Sequence, residues 1–314
     1  MPSSQNALDL LAVGELVVDF ISTEPHQRLE DAAIFQRYLG GAPTNVAVTV
    51  AHLGGKAAVV SRIGPGPIGR FLRRELRRND VRVDYLVEDP IVPSTLSLIA
   101  RTAGTPDFQI IRGADANLER TDIPPAAVQA ARAVHTSAFA LSREPCRSTV
   151  REVLQEAHAA GKLVSFDANY RPVVGPAPEE AREVFSDIGP LVHLMKASLD
   201  DAESLFGPES SPETYIDQFH GLEVGTVVLT MGREGVLLSD GEQIVQLPVR
   251  EVPVADVTGA GDAFWGGFLV AWLDGNPPER CLRFARLVAE RKLAGTGPLS
   301  ESLSRAELYR HLDA

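Results

Sequence analysis

The chain has 314 residues, of which 44% are hydrophobic and 23% are charged, and its formal net charge is −12. These values are typical of a water-soluble globular protein and allow one large α/β domain or two smaller ones. The strong negative charge argues against nucleic-acid and anionic-membrane partners, because like charges repel.

Apolar runs typical of buried strands alternate with amphipathic segments typical of helices. Strands are predicted at Leu8–Val13, Ala57–Ile63, Ala131–Thr136, Leu163–Asp167, Leu191–Lys196, Thr226–Thr230 and Val236–Leu238. Helices are predicted at Thr44–Leu53, Arg70–Arg78, Cys146–Ala160, Glu179–Ile188, Asp200–Phe206, Ala260–Leu273 and Pro278–Leu293. This alternation predicts an α/β fold whose mostly parallel central sheet is covered by helices on both faces.

Two irregular segments, about residues 16–39 and 95–118, interrupt this alternation and are more β-like. We expect them to form a small separate β-sheet that acts as a lid and excludes water from a reaction. The alternative is a pair of hairpins at the edge of the main sheet. No linker divides the chain, so we expect a single domain over residues 1–314.

The cysteine content, the first residues and the length of the apolar runs indicate the cellular setting. Its two cysteines, Cys146 and Cys281, are far apart and lack metal-ligand spacing, which predicts a reducing, cytoplasmic setting. Residues 1–6 are polar and carry no basic region, so we expect no signal peptide. No apolar run reaches membrane-spanning length.

The segment Asp256-Val257-Thr258-Gly259-Ala260-Gly261-Asp262 is the strongest indication of chemistry. Its small residues let the backbone approach a ligand, and the N-terminus of the helix that follows favours an anion. A carboxylate in that first turn can take a proton from a hydroxyl group. Phosphoryl transfer needs both features. The alternative is a glycine turn in which Asp262 only helps to start a helix.

Polar groups also follow the first predicted strand and precede the first well-formed helix. The segment Gly40-Gly41-Ala42-Pro43-Thr44-Asn45 combines close backbone approach with an amide that both donates and accepts hydrogen bonds, which suits a sugar. Asp19 lies just past the first strand, where α/β proteins place ligand groups. A plain loop capped by Thr44 and a solvated acid are the alternative interpretations.

Three further segments lie at strand ends. Asp167, Asn169 and Arg171 alternate along an extended stretch, so Arg171 can bind an anion or form a loop salt bridge. Residues 230–235 can carry nucleotide phosphates or form a hairpin turn. Residues 64–69 match a dinucleotide-binding GxGxxG pattern, although Pro65 and Pro67 lack N–H donors.

The Gly40–Asn45 and Asp256–Asp262 segments together resemble the two signatures of the PfkB/ribokinase family of sugar kinases. The resemblance implies a ribokinase-like fold, Asp262 as the catalytic base, and an anion hole formed by Gly259, Ala260 and Gly261. We expect the sugar to contact Asp19, Gly40, Gly41, Asn45, Arg112, Asn169 and Arg171. We expect the nucleotide to contact Ser198, Thr230, Gly232, Gly235, Thr258, Gly259 and Gly261.

The resemblance also implies ATP and Mg²⁺ as cofactors. The family's Asn-x-x-Glu motif, linked to magnesium, appears here as Ser198-Leu199-Asp200-Asp201, so Asp201 is a candidate that reaches the metal through water. Some relatives bind a monovalent cation near the first aspartate of the C-terminal signature. Asp256 and the loop at residues 295–297 are compatible with K⁺ at that position.

The substrate is predicted less sharply than the reaction. The Gly40–Asn45 segment and the Phe166–Arg171 stretch look most like fructokinases and 2-keto-3-deoxygluconate kinases. Neutral fructose is favoured, because only one candidate arginine, Arg112, lies in the predicted lid. A sugar-acid kinase, a nucleoside kinase and, in another class, an NAD(P)-dependent dehydrogenase are the alternatives. Besides sugar and ATP, the expected partner is a second copy of the chain, bound through the lid.

Overall fold

Two β-sheets organise the computed structural model, which describes residues 7–25, 27–101, 107–295 and 297–313. The strands of the larger sheet are β1 (Leu8–Val13), β4 (Ala57–Ile63), β5 (Leu86–Glu88), β8 (Ala131–Ser137), β9 (Leu163–Asp167), β10 (Leu194–Ser198), β11 (Thr226–Thr230), β12 (Val236–Ser239) and β13 (Ile244–Leu247). Their order in the sheet is β13-β12-β11-β10-β9-β8-β1-β4-β5, and all neighbours are parallel except at β12 and β13.

The strands of the smaller sheet are β2 (Val17–Pro25), β3 (Phe35–Gly40), β6 (Leu96–Arg101) and β7 (Asp107–Ile111). Their order is β3-β2-β6-β7. The separate small sheet is therefore confirmed, and the alternative of two edge hairpins on the main sheet is wrong. Residues 102–106 of the second predicted segment lie outside the described residues. That this sheet moves as a lid stays a prediction.

Helices cover both faces of the larger sheet. They are α1 (Ala42–His52), α2 (Pro67–Arg78), α3 (Pro125–Ala130), α4 (Cys146–Ala159), α5 (Pro178–Ile188), α6 (Leu199–Phe206), α7 (Pro212–His220), α8 (Ala260–Leu273), α9 (Pro278–Leu293) and α10 (Arg305–Asp313). Several begin with proline, whose fixed φ suits the first turn and whose missing N–H costs no hydrogen bond there. None of the described helices is long and apolar enough to cross a membrane.

Alternate residues of each central strand enter opposite cores. Leu11 and Val13 of β1 pack into a core that includes Phe166 of β9, whereas Leu10 and Ala12 pack into a second core that includes Trp265 of α8. This is the pattern of a parallel sheet buried on both faces, because successive side chains point in opposite directions. The predicted α/β fold is confirmed.

The predicted bounds of one strand are wrong. The apolar run that predicts a strand at Leu191–Lys196 begins instead with a 3₁₀ turn at Gly189–Leu191, and the strand spans Leu194–Ser198. The turn follows α5 directly and has Pro190 near its start, where the ring favours a helical turn. Lys196 consequently lies in the middle of a buried strand and not at its end.

Candidate active site

A cleft of about 680 Å³ lies between the small sheet and the carboxyl end of the larger sheet. Parallel α/β sheets bind ligands at this edge, because helix N-termini and strand-end loops converge there. The small sheet contributes Val17, Asp19, Ser97, Ile99, Phe108 and Ile110 to the lining. The starts of α1, α6 and α8 contribute the opposite wall.

The two sequence signatures meet at the base of this cleft. The side-chain amide of Asn45 donates a hydrogen bond of 2.8 Å to the carboxylate of Asp262, which is 217 positions away in the sequence. Helices α1 and α8 can approach so closely because residue 266 is glycine. A Cβ atom at Gly266 would lie 2.6 Å from the Cβ of Thr49. Helix packing therefore brings a sugar-binding candidate into contact with the candidate base.

The surroundings of Asp262 tune its acidity. Burial raises the pKa of its carboxyl to about 6, and the negative charges of Asp167 and Asp19 act in the same direction. The ammonium of Lys196 and the hydrogen bond from Asn45 oppose this rise. A carboxylate with a pKa near 6 is deprotonated at neutral pH and can still hold a proton briefly, which suits a general base.

The loop before α8 has the conformation that an anion site requires. Gly259 adopts a left-handed φ of 74°, which glycine accepts without a steric cost. Gly259 and Gly261 both line the cleft, whereas the N–H of Ala260 donates to the carbonyl of Val257 at 3.1 Å. A Cβ atom at Gly261 would lie 3.4 Å from the Nζ of Lys196. The loop thus faces a positive charge across a narrow gap.

Lys196 is a site residue that the sequence analysis missed. Its ammonium donates to both carboxylate oxygens of Asp167, at 2.8 and 2.7 Å, and the two residues pair across β9 and β10. Burial lowers the pKa of Lys196, but the charges of Asp167, Asp262 and Asp201 more than compensate and leave it raised. A lysine inside an otherwise apolar run was the available signal. Its charge is permanent at neutral pH and faces the cleft.

Asp19 also lines the cleft. The hydroxyl of Ser97, on β6, donates to the Asp19 carboxylate. Burial raises the pKa of Asp19 to about 6, and the Ser97 hydrogen bond opposes that rise. Gly40 does not line the cleft, but a Cβ atom there would overlap the Asp19 carboxylate. This glycine therefore makes room for the acid.

Gly41 and Asn45 line the cleft as well. Gly41 has a φ of 102°, and a Cβ atom on it would lie 2.5 Å from the carbonyl oxygen of Glu15. The Oδ1 atom of Asn45 is buried and has no hydrogen-bond partner within the described chain. An unpaired buried acceptor beside a cleft is available to a ligand hydroxyl.

Glu15 is a second residue that the sequence analysis missed. Its side chain lines the cleft and accepts hydrogen bonds from the Ser137 hydroxyl at 2.8 Å and from the backbone N–H of Ala42 at 3.1 Å. Burial raises the pKa of Glu15 to about 8, so the carboxyl is mostly protonated at neutral pH. It ties the end of β1 to the start of α1, where Gly41 and Asn45 lie.

The remaining nucleotide candidates divide between the cleft and its surroundings. Ser198, Thr230, Gly232 and Thr258 line the cleft. Gly235 does not line it, and a Cβ atom there would lie 2.4 Å from the carbonyl oxygen of Leu247. Its φ of 101° forms the turn into β12, so a structural explanation accounts for this glycine.

The two candidate arginines occupy different cavities. Arg171 lines the cleft and donates to Asp201 at 3.2 Å, as its salt-bridge interpretation predicted, and Asn169 lines the cleft beside it. Arg112 lines an adjoining cavity of about 290 Å³. Its buried guanidinium pairs with Asp115 at 2.9 Å and donates to the carbonyl of Phe139. Arg112 thus fastens the end of β7 to the main body.

The metal candidates are engaged in hydrogen bonds. Asp201 accepts from the backbone N–H groups of Tyr170 at 2.9 Å and Ser198 at 2.7 Å as well as from Arg171. No group of three or more His, Cys, Asp and Glu side chains that could hold a metal ion occurs among the described residues. These side chains fit a Mg²⁺ ion held mainly by phosphates and reached through water, which is how Mg²⁺ is usually bound.

The glycine pattern at residues 64–69 serves packing. A Cβ atom at Gly64 would lie 2.3 Å from the backbone nitrogen of Ser94, and one at Gly69 would lie 2.0 Å from the carbonyl oxygen of Gly64. The N–H of Gly64 donates to the Ser94 hydroxyl at 2.8 Å. None of the residues 64–69 lines the cleft. Tight packing explains Gly64 and Gly69, and a φ of 91° explains Gly66, without a dinucleotide.

Comparison with known proteins agrees with this geometry. The family model described as pfkB family carbohydrate kinase matches residues 7–302. The chain is 32% identical to an ATP-dependent 6-phosphofructokinase of Thermoanaerobacterium thermosaccharolyticum, over 93% of this chain and 89% of that protein. It is 34% identical to the structure of Halothermothrix orenii fructokinase, with a TM-score of 0.78 and coverage of 93% and 100%. A sugar kinase of Pyrococcus horikoshii solved in complex with ATP is 29% identical, with a TM-score of 0.84 and coverage of 96% and 97%.

Proposed function

The chain belongs to the pfkB family of carbohydrate kinases, which are ATP-dependent phosphotransferases, and from this premise we propose that it phosphorylates a primary hydroxyl of fructose. The observation that carries the proposal is the contact between Asn45 and Asp262. It joins an end of the cleft that suits hydroxyl groups to a loop that suits phosphate. A hydroxyl bound beside Asn45 lies next to the base.

The sugar end positions the acceptor. Asp19 and the unpaired Oδ1 atom of Asn45 accept hydrogen bonds from sugar hydroxyls, and the apolar side chains of Val17 and Phe108 cover the ring. Fixing the reacting hydroxyl beside Asp262 removes most of the entropy cost of bringing the reactants together. Each of these groups is neutral or anionic, which suits a neutral polyol.

The phosphoryl end stabilises the charge that develops during transfer. A bond forms between the sugar oxygen and the γ-phosphorus, the bond from that phosphorus to the bridging oxygen of ADP breaks, and the hydroxyl proton passes to Asp262. The N-terminus of α8 and the ammonium of Lys196 face the transferring group. Mg²⁺ would neutralise the phosphate oxygens, with Asp201 in reach through water.

Neutral fructose is favoured because the arginines near the sugar end are already paired. Arg112 is neutralised by Asp115, and Arg171 is paired with Asp201. A sugar carboxylate or phosphate would have to compete with these partners. An anionic sugar such as fructose 6-phosphate is the second candidate, because the Nη2 atom of Arg112 is buried and has no hydrogen-bond partner among the described residues, and one relative is named 6-phosphofructokinase.

A substrate panel coupled to ADP release separates these candidates. The panel contains fructose, fructose 6-phosphate, 2-keto-3-deoxygluconate and a nucleoside, each with MgATP. We expect the highest kcat/KM with fructose. Robust turnover of either anionic sugar with none of fructose would overturn the choice of substrate and leave the kinase assignment intact. Association of two copies through the small sheet also stays a prediction, and sedimentation velocity tests it.

A further inference from the structure

Lys292, in the last turn of α9, is a buried cation bound to a neutral group. The residue is only 2% exposed. Its ammonium donates a hydrogen bond of 2.6 Å to the backbone carbonyl of Asp256. Burying a charge against a carbonyl costs free energy unless the surroundings stabilise it. Its position therefore calls for an explanation.

The carbonyl that it binds belongs to the base of the anion-hole loop. The carboxylate of Asp256 accepts from the N–H and the hydroxyl of Thr258, at 3.0 and 2.9 Å, and from the N–H of Gly297 at 2.8 Å. The N–H of Ala255 donates to the carbonyl of Leu293 at 2.8 Å. The end of α9 thus holds the start of the loop that leads through Thr258 to the cleft.

This place is the one that the family resemblance offers to a monovalent cation, and the residues do not fit K⁺. Such an ion needs several free oxygen ligands. Three donors already bind the Asp256 carboxylate, and Lys292 binds its carbonyl. A second cation at that carbonyl would also lie against a fixed positive charge. Thr296 lies outside the described residues.

We propose that the ammonium of Lys292 is a built-in replacement for a monovalent cation, which makes the kinase independent of K⁺. It is a positioning residue that holds the base of the Asp256–Asp262 loop and places a positive charge behind it. The inference rests on the proposed role of that loop in binding phosphate. It does not depend on which sugar is the acceptor.

The charges around Lys292 support this role. Burial is the largest effect and leaves the pKa of Lys292 lowered, and the carboxylates of Asp256 and Asp262 offset part of that fall. The interaction with Asp262 means that the charge of Lys292 is felt at the candidate base. A tethered ammonium needs no ion from solution, so the loop keeps one geometry at any potassium concentration.

The unaltered protein gives the first test. Turnover and melting temperature are measured in chloride salts of K⁺, Na⁺ and tetramethylammonium at equal ionic strength, which keeps screening constant. We expect the three salts to give the same turnover and the same melting temperature. Stimulation of turnover by K⁺ of about tenfold or more, the size expected when a missing charge is restored near an anion hole, would overturn the proposal.

Substitution gives the second test. Lys292→Met keeps most of the stem and removes the charge, and Arg291→Met is the matched control at the exposed neighbouring position. In tetramethylammonium chloride we expect Lys292→Met to lose about tenfold or more in turnover, while Arg291→Met is unchanged. A folded Lys292→Met protein with normal turnover in that salt would show that Lys292 does not position the loop.

A smaller side chain at residue 292 allows the proposed replacement of a cation by Lys292 to be tested from melting temperatures, without an assay of the reaction. Lys292→Ala leaves room beside the Asp256 carbonyl, so we expect K⁺ to raise its melting temperature above the value in tetramethylammonium, with no such rise in the unaltered protein or in Arg291→Met. A Lys292→Ala melting temperature that ignores K⁺ would contradict the proposal. If neither Lys292 variant folds, the salt series on the unaltered protein decides. Failure of fructose as a substrate would leave the melting results unchanged.

Discussion

The first turns of α6 and α8 present the same type of residue in two different states. Both helices begin at the edge of the cleft, and both have an aspartate at the third helical position, Asp201 in α6 and Asp262 in α8. Asp201 is bound back to the N–H of Ser198, its helix cap, in a capping box. Asp262 follows a glycine cap and accepts from the side chain of Asn45.

The residue that caps each helix determines whether its aspartate is bound by the backbone of the cap or faces the cleft. Ser198 offers a hydroxyl to the N–H of Asp201 at 3.1 Å and receives the carboxylate on its own N–H, so both residues are satisfied locally. Gly259 has no side chain to offer and bends the chain into the left-handed region. The Asp262 carboxylate is therefore directed into the cleft. The predictions below test this difference, starting from the largest expected effect.

Asp262→Asn should give the largest loss. The amide cannot accept a proton, so we expect turnover to fall by about two to four orders of magnitude, the range for a positioned general base. The fold and the sugar affinity should survive, because Asn45 can still bind the new side chain. Steady-state kinetics and sugar binding by calorimetry measure both quantities. Near-normal turnover would remove Asp262 from the mechanism.

Asp201→Asn is the matched control for that substitution, since it makes the same chemical change at the same helical position. We expect it to affect mainly stability, because the N–H groups of Tyr170 and Ser198 lose a charged acceptor. A loss of turnover as large as that of Asp262→Asn would contradict the division between the two helices. A shift in the Mg²⁺ concentration for half-maximal rate would support the predicted water-mediated metal contact.

Gly261→Val should damage turnover more than sugar affinity. A Cβ atom at residue 261 would lie 3.4 Å from the ammonium nitrogen of Lys196, so the larger valine side chain would crowd the loop where the transferring phosphate is proposed to bind. We expect a loss of about two orders of magnitude, comparable to removal of one donor from an anion hole. Full turnover in a folded Gly261→Val protein would show that the transferring phosphate does not bind at this loop. Fructose affinity within a few-fold of the unaltered protein is the internal control.

The pH dependence of kcat/KM should show two acidic groups. Asp262 and Asp19 both have a pKa of about 6, and both act as acceptors, so kcat/KM should fall as the pH drops below that value. Because two groups take up protons, log kcat/KM should fall more steeply with decreasing pH than it would for one group. In Asp19→Asn the ionisation of Asp19 is removed, so the dependence of kcat/KM on pH below about 6 should involve one proton fewer. An acidic limb that is unchanged in Asp19→Asn would exclude Asp19 from the titration.

Much of this site could be predicted from the sequence, because its residues lie in local patterns. Alternation of apolar runs gave the sheet and its helices, and small residues before Asp262 indicated an anion loop. The contact of Asn45 with Asp262 could not be predicted, because it depends on the packing of Gly266 against Thr49. Local patterns carry no information about such contacts between distant segments.

The sequence analysis missed Lys196 for the same reason. Lys196 gains its meaning from the register of β9 and β10, which places it opposite Asp167, and the sequence predicted that strand a few residues too early. Arg112 lines the adjoining cavity with Phe139 and Asp115 as partners, and its contact with the sugar stays a prediction. Its loss should therefore reduce stability and not only substrate choice.

The smallest effect separates the two caps directly. Ser198→Ala removes the hydroxyl that accepts from Asp201, and Gly259→Ala places a Cβ atom on a residue with a φ of 74°. Each should lower the free energy of unfolding by about 1 kcal/mol, through a lost cap and through left-handed strain respectively. Only Gly259→Ala should also lower turnover, because only that cap shapes the loop that directs Asp262. Chemical denaturation and steady-state kinetics on both variants make the comparison. A loss of turnover in Ser198→Ala as large as that in Gly259→Ala would contradict it, whereas a rise in the KM for ATP alone would support the predicted contact of Ser198 with the nucleotide.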